Sequence, residues 1–404
     1  MGIWDRAFGL VSSSVALLLL MAGCQAPPRP IVHEPPTTPA GRSDPATPPK
    51  AVAASTEPVR KIETPVVSLP PPQTETPAAR PQAAATPLSG EIAARLGDEM
   101  IVAGKFVHTG TPVVLWMDPG GYDAYRIERR FSPIDEADWE SSKASVKDLT
   151  SPNRFGLRRS VLTPEQIERV RGGGWELSLL QSVIDQFVIH FDSSGTSREC
   201  FKTLHDKRGL SIHFMLDLDG TVYQTLDLKE QAWHATSSNG RSIGIEISNV
   251  GAVEIGGKNR LSEWYVQDSD GAVRISIPAH VGESGLRKQD LVLRPARAEL
   301  VAGQIHDKEL VQYDFTAEQY EALIKLTAAL CKVFPKIKCD YPRDESGELV
   351  TRKLPDEDLA RYQGLIGHYH IQTNKVDPGP AFQWKYVVTG ARRILNGSNA
   401  AAAQ

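Results

Sequence analysis

The sequence is poor in cysteine, has no excess of positive charge, and lacks aromatic residues between positions 25 and 89. Four cysteines in 404 residues are too few to frame a disulfide-rich fold. The formal net charge of −4 excludes a general attraction to nucleic acid and other anionic polymers, so no nucleic-acid partner is expected.

Residues 24–89 are rich in Pro, Ala and Thr, and they hold more than half of the chain's 29 prolines. A segment with this composition cannot bury enough apolar surface to fold. We predict a disordered linker with polyproline character. Its roughly 65 residues, at about 3.1 Å each, would reach on the order of 200 Å if fully extended.

Residues 1–23 are organised as a secretory signal. Arg6 precedes the apolar run 7–21, and two small residues precede Cys24. The run is short for a membrane-spanning helix. The sequence Leu-Met-Ala-Gly-Cys resembles a bacterial lipobox, which implies that Cys24 is lipidated, and Gln25 after it resembles an outer-membrane sorting signal. We predict a lipid-anchored protein on the periplasmic face of the outer membrane; the alternative is ordinary secretion after cleavage.

Order begins near Gly90. Residues 90–182 contain two predicted short strands, 100–103 and 113–117, and a helix that Thr163 caps, with Pro164 at its first position. No pattern in this segment carries recognisable chemistry. We predict an N-terminal extension that packs on the following domain and covers it.

Residues 183–395 alternate strand and helix patterns and are predicted to form the main domain. Two of the predicted strands carry polar residues: 183–191 ends near His190, and 242–247 holds Glu246 inside an apolar frame. The other predicted elements are a helix capped by Ser197, strands 210–216 and 221–226, and an amphipathic helix over 315–334 with a Thr316–Gln319 capping box.

Residues 251–313 interrupt this pattern with Gly-Gly and Asp-Ser-Asp-Gly turns, and we predict an insertion there. One hypothesis is that the insertion covers a cleft and restricts access to small substrates. Residues 396–404 are predicted to be a disordered tail.

Cys331 and Cys339 flank the end of the amphipathic helix. Two interpretations stay open. They form a disulfide, as an oxidising compartment would permit, or they and Cys200 are small buried residues.

Residues 367–384 concentrate polar and aromatic groups after an apolar strand pattern. His368, His370, Lys375 and Asp377 fall within ten residues and precede a Pro-Gly-Pro turn. A loop placed at a strand end is a frequent position for site residues. Together with His190, two imidazoles and one carboxylate make a three-ligand catalytic zinc set with a fourth position for water. The alternative is a solvated polar loop.

Five motifs stand in a characteristic order. They are Phe-Val-Ile-His190, the segment 211–220 (Ser-Ile-His-Phe-Met-Leu-Asp-Leu-Asp-Gly), Ala-Trp233-His234-Ala, Ser-Ile-Gly-Ile-Glu246, and Gly-His368 through Lys375-Val-Asp377-Pro-Gly-Pro. Over residues 183–390 this set resembles the zinc-dependent N-acetylmuramoyl-L-alanine amidases, the family that includes the type-2 amidases and the peptidoglycan recognition proteins.

The resemblance implies an α/β fold with a central mixed sheet flanked by helices. It implies Zn²⁺ as cofactor, held by His190, His368 and Asp377, with Glu246 as the proton-transferring base and Lys375 as the oxyanion partner. Some relatives carry a catalytic Tyr where this chain has Ile212, which places the role on Glu246.

Other residues of the motifs have weaker assignments. His213, His234 and Trp233 are candidate substrate-binding residues, although each histidine is equally compatible with a structural role. Phe382 and Trp384 fit either a substrate groove or the core, and aromatic residues at such places are more often core. His370 matches no family ligand and is interpreted as a loop histidine.

The implied reaction is hydrolysis of the amide between N-acetylmuramic acid and L-alanine in peptidoglycan or muropeptides, by a monomer tethered to the membrane. Two alternatives are a non-catalytic peptidoglycan-binding lipoprotein and a structural lipoprotein that bridges membrane and wall. Retention of all three implied ligands favours the enzyme.

Overall fold

The computed structural model describes residues 90, 92, 94–138, 155–256 and 260–402. All of them belong to one unit, Ala84–Gln404. The predicted signal, Cys24 and the whole of the predicted linker lie outside the described residues. Within the described ranges, no helix has the length and apolar character needed to cross a membrane.

Strands and short helices alternate along the described chain. The strands are β1 (Glu99–Val102), β2 (Lys105–His108), β3 (Val113–Leu115), β4 (Phe155–Gly156), β5 (Gln186–Phe191), β6 (Phe214–Leu216), β7 (Val222–Gln224), β8 (Gln231–Ala232), β9 (Ser242–Ile247), β10 (Val253–Glu254), β11 (Tyr265–Gln267), β12 (Val273–Ile275), β13 (Val301–Ile305), β14 (Lys308–Gln312) and β15 (Gly364–Gly367). The α-helices are α1 (Pro164–Gly173), α2 (Leu177–Val183), α3 (Ser197–Phe201), α4 (Leu261–Trp264), α5 (Ala317–Val333), α6 (Asp356–Arg361) and α7 (Trp384–Ala402).

A six-stranded mixed sheet in the order β15-β5-β9-β6-β7-β3 forms the centre of the fold. Only the β6–β7 pair, which is joined by a turn at Asp219-Gly220, is antiparallel; the other four pairs are parallel. The α/β class with a central mixed sheet is therefore confirmed. Parallel strands are covered on both faces, which is why β5 reads as a nearly continuous apolar run.

The two faces of the sheet carry different chemistry because side chains alternate along each strand. On β9, Ile243, Ile245 and Ile247 join the main hydrophobic core together with residues of α5 and α7. Gly244 and Glu246 therefore point to the opposite face. On β5, His190 shares that opposite face, because it is the register partner of Glu246.

Helix α5 is the main cover of the apolar face. Thr316 caps it in a capping box with Gln319, which confirms the predicted helix and its start. Tyr320, Leu323 and Leu330 are at most 1% exposed. Burying each such side chain stabilises the fold by about 1.5–3 kcal/mol.

Two local predictions about helices have different outcomes. The capping box at Thr163 is present, so the predicted start of α1 is confirmed. The prediction that Ser197 caps α3 is wrong, because Thr196 is the cap and accepts from the Glu199 N–H. The chain continues past α3 as a π-helical turn over Lys202–Lys207.

The N-terminal region is part of the central sheet rather than a cover over it. Strand β3 pairs in parallel with β7 and forms one edge of the sheet. The β1–β2 hairpin is tied to β7 through Gln224, whose amide donates to the Ile101 carbonyl over 2.8 Å and accepts from the Ile101 N–H over 2.7 Å. Strand β4 pairs with β8, next to the Trp233-His234 motif.

Residues 251–313 fold into substructures of their own. Strands β10, β14 and β13 form a small antiparallel sheet, and β11 and β12 form a hairpin. A second apolar cluster lies beneath them and includes Leu261, Trp264 and Ile275.

Cys200, Cys331 and Cys339 are free thiols. Cys331 and Cys339 are hydrogen-bonded to each other at the end of α5, without a disulfide between them.

Candidate metal and catalytic site

Two neighbouring strand ends create the site. Strands β15 and β5 are parallel and adjacent, with Gly367 opposite Ile189. His190 lies near the carboxyl end of β5, and His368 follows directly after β15. Parallel strands end at the same edge of a sheet, so these two histidines meet there although 178 positions separate them.

Three ligand atoms converge at this edge. The Nδ1 atoms of His190 and His368 are 3.0 Å apart, and the Asp377 Oδ2 lies 2.8 Å from the first and 3.0 Å from the second. All three side chains are buried. The structure thus brings together the residues predicted as metal ligands.

The geometry and donor types fit a zinc ion. Zinc bonds to nitrogen and oxygen of about 2.0–2.1 Å in a tetrahedral arrangement place ligand atoms roughly 3.3 Å apart, close to the observed triangle. The Asp98, Glu99 and His108 side chains form a second group with ligand-like spacing. Both Glu99 oxygens there already accept backbone N–H groups, so this group is explained by its own hydrogen bonds.

The outer nitrogens of both histidines are also engaged. His368 Nε2 lies 2.7 Å from Gln372 Oε1, and His190 Nε2 lies 3.0 Å from His234 Nδ1. Metal-binding histidines generally donate their second N–H to such a partner, which fixes the ring orientation. The sequence analysis did not identify Gln372 as a partner of His368. The one sequence feature that could have indicated it is its position four residues after His368.

Burial and neighbouring groups shift the pKa values of two of the three ligands, His190 and Asp377. Burial, together with the neighbouring His368, lowers the pKa of His190 to about 4, although the hydrogen bond to Asp377 acts in the opposite direction. Burial alone would raise the pKa of Asp377, but His368 and His190 outweigh it and hold that pKa well below its usual range. Metal ligands must be deprotonated to bind, and both shifts favour the deprotonated forms of His190 and Asp377.

Glu246 lies beside the cluster, and its carboxyl group has an oxygen that is free to accept a hydrogen bond. Its Oε2 is buried and has no hydrogen-bond partner among the described residues. Burial raises its pKa well above the usual range, and the negative charge of Asp377 adds to the effect. A raised carboxyl pKa next to a ligand cluster suits a proton-transferring group. Lys375 is near enough to Glu246 to lower the pKa of that group in part.

The remaining predicted residues lie at different depths. His213 is fully buried: its Nδ1 accepts the Gly244 N–H over 3.1 Å and its Nε2 lies 3.0 Å from the Glu230 carbonyl oxygen. It occupies a structural position and has no surface for substrate. His370 is likewise fully buried, with its Nδ1 accepting the Gly367 N–H and its Nε2 donating to the Val350 carbonyl. It is a core histidine rather than one exposed on the loop.

The three aromatic candidates differ in their burial. Phe382 and Trp384 are only 5% and 3% exposed and belong to the main core. Trp233 is half-buried, and its ring packs directly over Gly156 of β4.

Arg158, in the N-terminal region, is a buried residue that the sequence did not reveal. Its guanidinium donates to the carbonyls of Gly240, Ser242 and Leu228 over 2.8–3.1 Å and lies 3.3 Å from His213 Nε2. Burial lowers the pKa of Arg158 to about 9, against the opposing charges of Glu230 and Asp227. The N-terminal region thus braces the loops on either side of His234.

The insertion supports the loop that carries Lys375 and Asp377. His306 Nε2 donates to the Lys375 carbonyl over 3.0 Å. The Gln312 amide donates to the Pro378 carbonyl over 3.2 Å and accepts from the Ala381 N–H over 3.1 Å. The β13–β14 hairpin therefore holds this loop from one side.

Comparison with known proteins gives a match to one protein family. Residues 180–380 match the family model described as N-acetylmuramoyl-L-alanine amidase. No curated protein sequence matches the chain.

Three solved structures show a likeness to the chain. A selenomethionine derivative of AmpD is 16% identical, with 59% of this chain and 90% of that one covered at a TM-score of 0.27. AmiD from E. coli, in complex with anhydro-N-acetylmuramic acid-L-Ala-D-γ-Glu-L-Lys, is 18% identical, with 51% and 57% covered at a TM-score of 0.28. The endolysin LysCS from Clostridium intestinale is 14% identical, with 53% and 86% covered at a TM-score of 0.27.

Proposed function

This chain belongs, through residues 180–380, to the N-acetylmuramoyl-L-alanine amidase family, and on that premise we propose that it is a zinc-dependent enzyme whose metal is held by His190, His368 and Asp377. The observation that carries the proposal is the triangle of their ligand atoms, with edges of 2.8–3.0 Å. The proposed reaction is hydrolysis of the amide between the lactyl group of N-acetylmuramic acid and L-alanine.

Zinc, when bound, supplies a Lewis acid that polarises a carbonyl and lowers the pKa of water to about 7. Three protein ligands would leave a fourth position open, as catalytic zinc sites require. The cluster lies at the carboxyl ends of the parallel strands β5 and β15, the end at which open α/β sheets usually bind their ligands.

Glu246 is proposed as the general base and acid. It takes a proton from the attacking water and passes it to the leaving L-alanine nitrogen. Its unpartnered Oε2 and its raised pKa support this role. Ile212 is buried and has no group that could transfer a proton, which supports placing the role on Glu246 alone.

Lys375 is proposed to stabilise the negative charge that develops on the carbonyl oxygen. Its ammonium group acts on the pKa values of both His190 and Glu246, so it lies within electrostatic reach of the reacting centre.

We further propose that the enzyme is anchored by lipid at Cys24 and works at the periplasmic face of the outer membrane as a monomer. The support is the lipobox-like sequence, Gln25 after the cysteine, and the proline-rich stretch that follows. Metabolic labelling with a lipid analogue, compared between the full chain and Cys24→Ala, tests the anchor. Unlabelled wild-type protein would contradict it.

The zinc proposal is tested by metal analysis of the purified protein together with a hydrolysis assay. We expect one zinc per chain, loss of hydrolysis after chelation, and recovery when zinc is added back. Full hydrolysis by thoroughly metal-free protein would refute the metal role. Parallel assays on intact sacculi and on soluble muropeptides show which of the two is the substrate.

A further inference from the structure

His234 sits behind the ligand cluster rather than in front of it. Its Nδ1 lies 3.0 Å from the outer nitrogen, Nε2, of His190, while the Nδ1 of His190 faces His368 and Asp377. The two rings meet edge to face, at an interplanar angle of 81°. His190 is therefore held between the cluster on one side and His234 on the other.

One arrangement of protons satisfies the contacts that run from His190 through His234 to Ser242. For the Nδ1 of His190 to serve as a ligand, its proton must sit on Nε2, where it donates to His234 Nδ1. The proton of His234 is then on its own Nε2, which lies 3.2 Å from the Ser242 Oγ and donates to it. No donor in this series faces another donor.

His234 is also fixed by its surroundings. Its backbone N–H and that of Ala235 both donate to Asn239 Oδ1, over 3.0 and 2.6 Å. Its ring lies over Gly244 of β9, where an added Cβ would come within 2.5 Å of the ring. The glycine in this strand thus leaves the space that the ring occupies.

We infer that His234 is a positioning residue for the metal ligand His190 rather than a substrate contact, the two roles that the sequence left open. This inference rests on the proposed zinc site. It assigns His234 the task of holding the proton of His190 on Nε2 and the ring in the orientation that presents Nδ1. Gln372 has the same geometric relation to His368.

The two roles of His234 predict opposite kinetic changes. A positioning residue controls zinc affinity, and loss of such a partner typically weakens it by about 10- to 100-fold. At saturating zinc the KM for a muropeptide would stay near the wild-type value. A substrate contact would instead raise KM and leave zinc affinity unchanged.

The test compares His234→Leu with His234→Asn, because the asparagine Oδ1 can accept the His190 proton from about the position of Nδ1. The zinc dissociation constant is measured by competition with a chromophoric chelator, and the visible spectrum of the cobalt-substituted protein reports ligand geometry. His280→Leu is the matched control, since His280 is an exposed histidine of the insertion. Circular dichroism in chelator verifies that each variant is folded.

We expect His234→Leu to weaken zinc binding by about 10- to 100-fold and to alter the cobalt spectrum. His234→Asn should recover most of the affinity, and His280→Leu should match the wild type. Unchanged zinc affinity in the folded His234→Leu variant, whatever its KM, would overturn the inference. Failure of the wild-type protein to bind zinc would refute the proposed function instead, so the two failures are distinguishable.

Discussion

His190 and Glu246 are register partners on the adjacent parallel strands β5 and β9. Register partners point to the same face of a sheet, so a proposed ligand and the proposed base lie side by side on the face opposite the main core. Neither position depends on a flexible loop. Rigid strand positions hold reacting groups more precisely than loops do.

Glu246→Gln should abolish proton transfer without removing the metal. We expect kcat to fall by about 10²- to 10⁴-fold, the usual contribution of a general base, while zinc content stays at the wild-type level. Glu345→Gln, at an exposed position, is the control and should be fully active. Wild-type turnover by Glu246→Gln would remove Glu246 from the mechanism.

Asp217 should make the metal-free protein less stable as the pH rises. Burial, together with the neighbouring Asp219, raises the pKa of Asp217 to about 7. In the unfolded chain this carboxyl has a pKa of about 3.9, so the folded state binds more protons between these values and the free energy of unfolding falls from about pH 4 to pH 7.

Asp217→Asn removes this titration while its Oδ1 still accepts the N–H groups of Ser197 and Leu218. Relative to the wild type, the variant should gain on the order of 2 kcal/mol between pH 5 and pH 8, since one pKa unit is worth about 1.4 kcal/mol. Urea unfolding in chelator at both pH values measures the gain. An equal stability difference at both pH values would contradict this account of Asp217.

Gly379→Ala should disturb the loop that carries Asp377. Gly379 has a φ of +84°, and an added Cβ would lie 2.1 Å from Gln312 Oε1, in a side chain that is fully buried. Gly347→Ala is the control, because Gly347 has a φ of +87° with open space around it.

Both changes should lower the free energy of unfolding by about 1–2 kcal/mol, because alanine is strained in the left-handed region of backbone conformation. Gly379→Ala should cost roughly 1–3 kcal/mol more, because it overpacks a filled site, and it alone should weaken zinc binding. Urea unfolding and zinc titration measure the two effects. Equal losses in the two variants would show that the contact with Gln312 is unimportant.

Arg158→Met should destabilise the fold although Arg158 lies outside the main domain as predicted from the sequence. The change leaves the buried carbonyls of Leu228, Gly240 and Ser242 without this donor. An unsatisfied buried group costs about 1–3 kcal/mol, so we expect a total loss of roughly 3 kcal/mol. The exposed neighbour change Arg159→Met should stay within about 0.5 kcal/mol of wild type, and equal midpoints in urea would contradict the bracing role.

Local sequence signals predicted the elements well. The capping boxes at Thr163 and Thr316 depend only on residues three positions apart, and both are present. The predicted and observed bounds of strand β9 agree, because the alternating isoleucines that define it lie within six consecutive residues. The grouping of His190, His368 and Asp377 came from a resemblance of ordered motifs, since the spacing of residues so distant in sequence carries little information.

Contacts between distant segments escaped prediction. Nothing in the sequence indicates that β3 would pair with β7, because the choice of an edge partner depends on the assembled sheet. Nothing in the sequence marks Arg158, because only the folded loops supply its carbonyl partners. His213 could not be separated from His234 by motif alone. In the fold His213 is fully buried and accepts the Gly244 N–H of β9, whereas His234 is partly exposed.

The central claim is tested most directly by mass spectrometry of purified muropeptides after incubation with the zinc-loaded protein, with His368→Ala and Asp377→Asn run in parallel. The account predicts that the wild type releases a stem peptide with a free L-alanine amine and a muramic acid product, with one water added across the amide. Both variants should leave the substrate intact. An uncut substrate with the zinc-loaded wild type, or cleavage at another bond, would contradict the account.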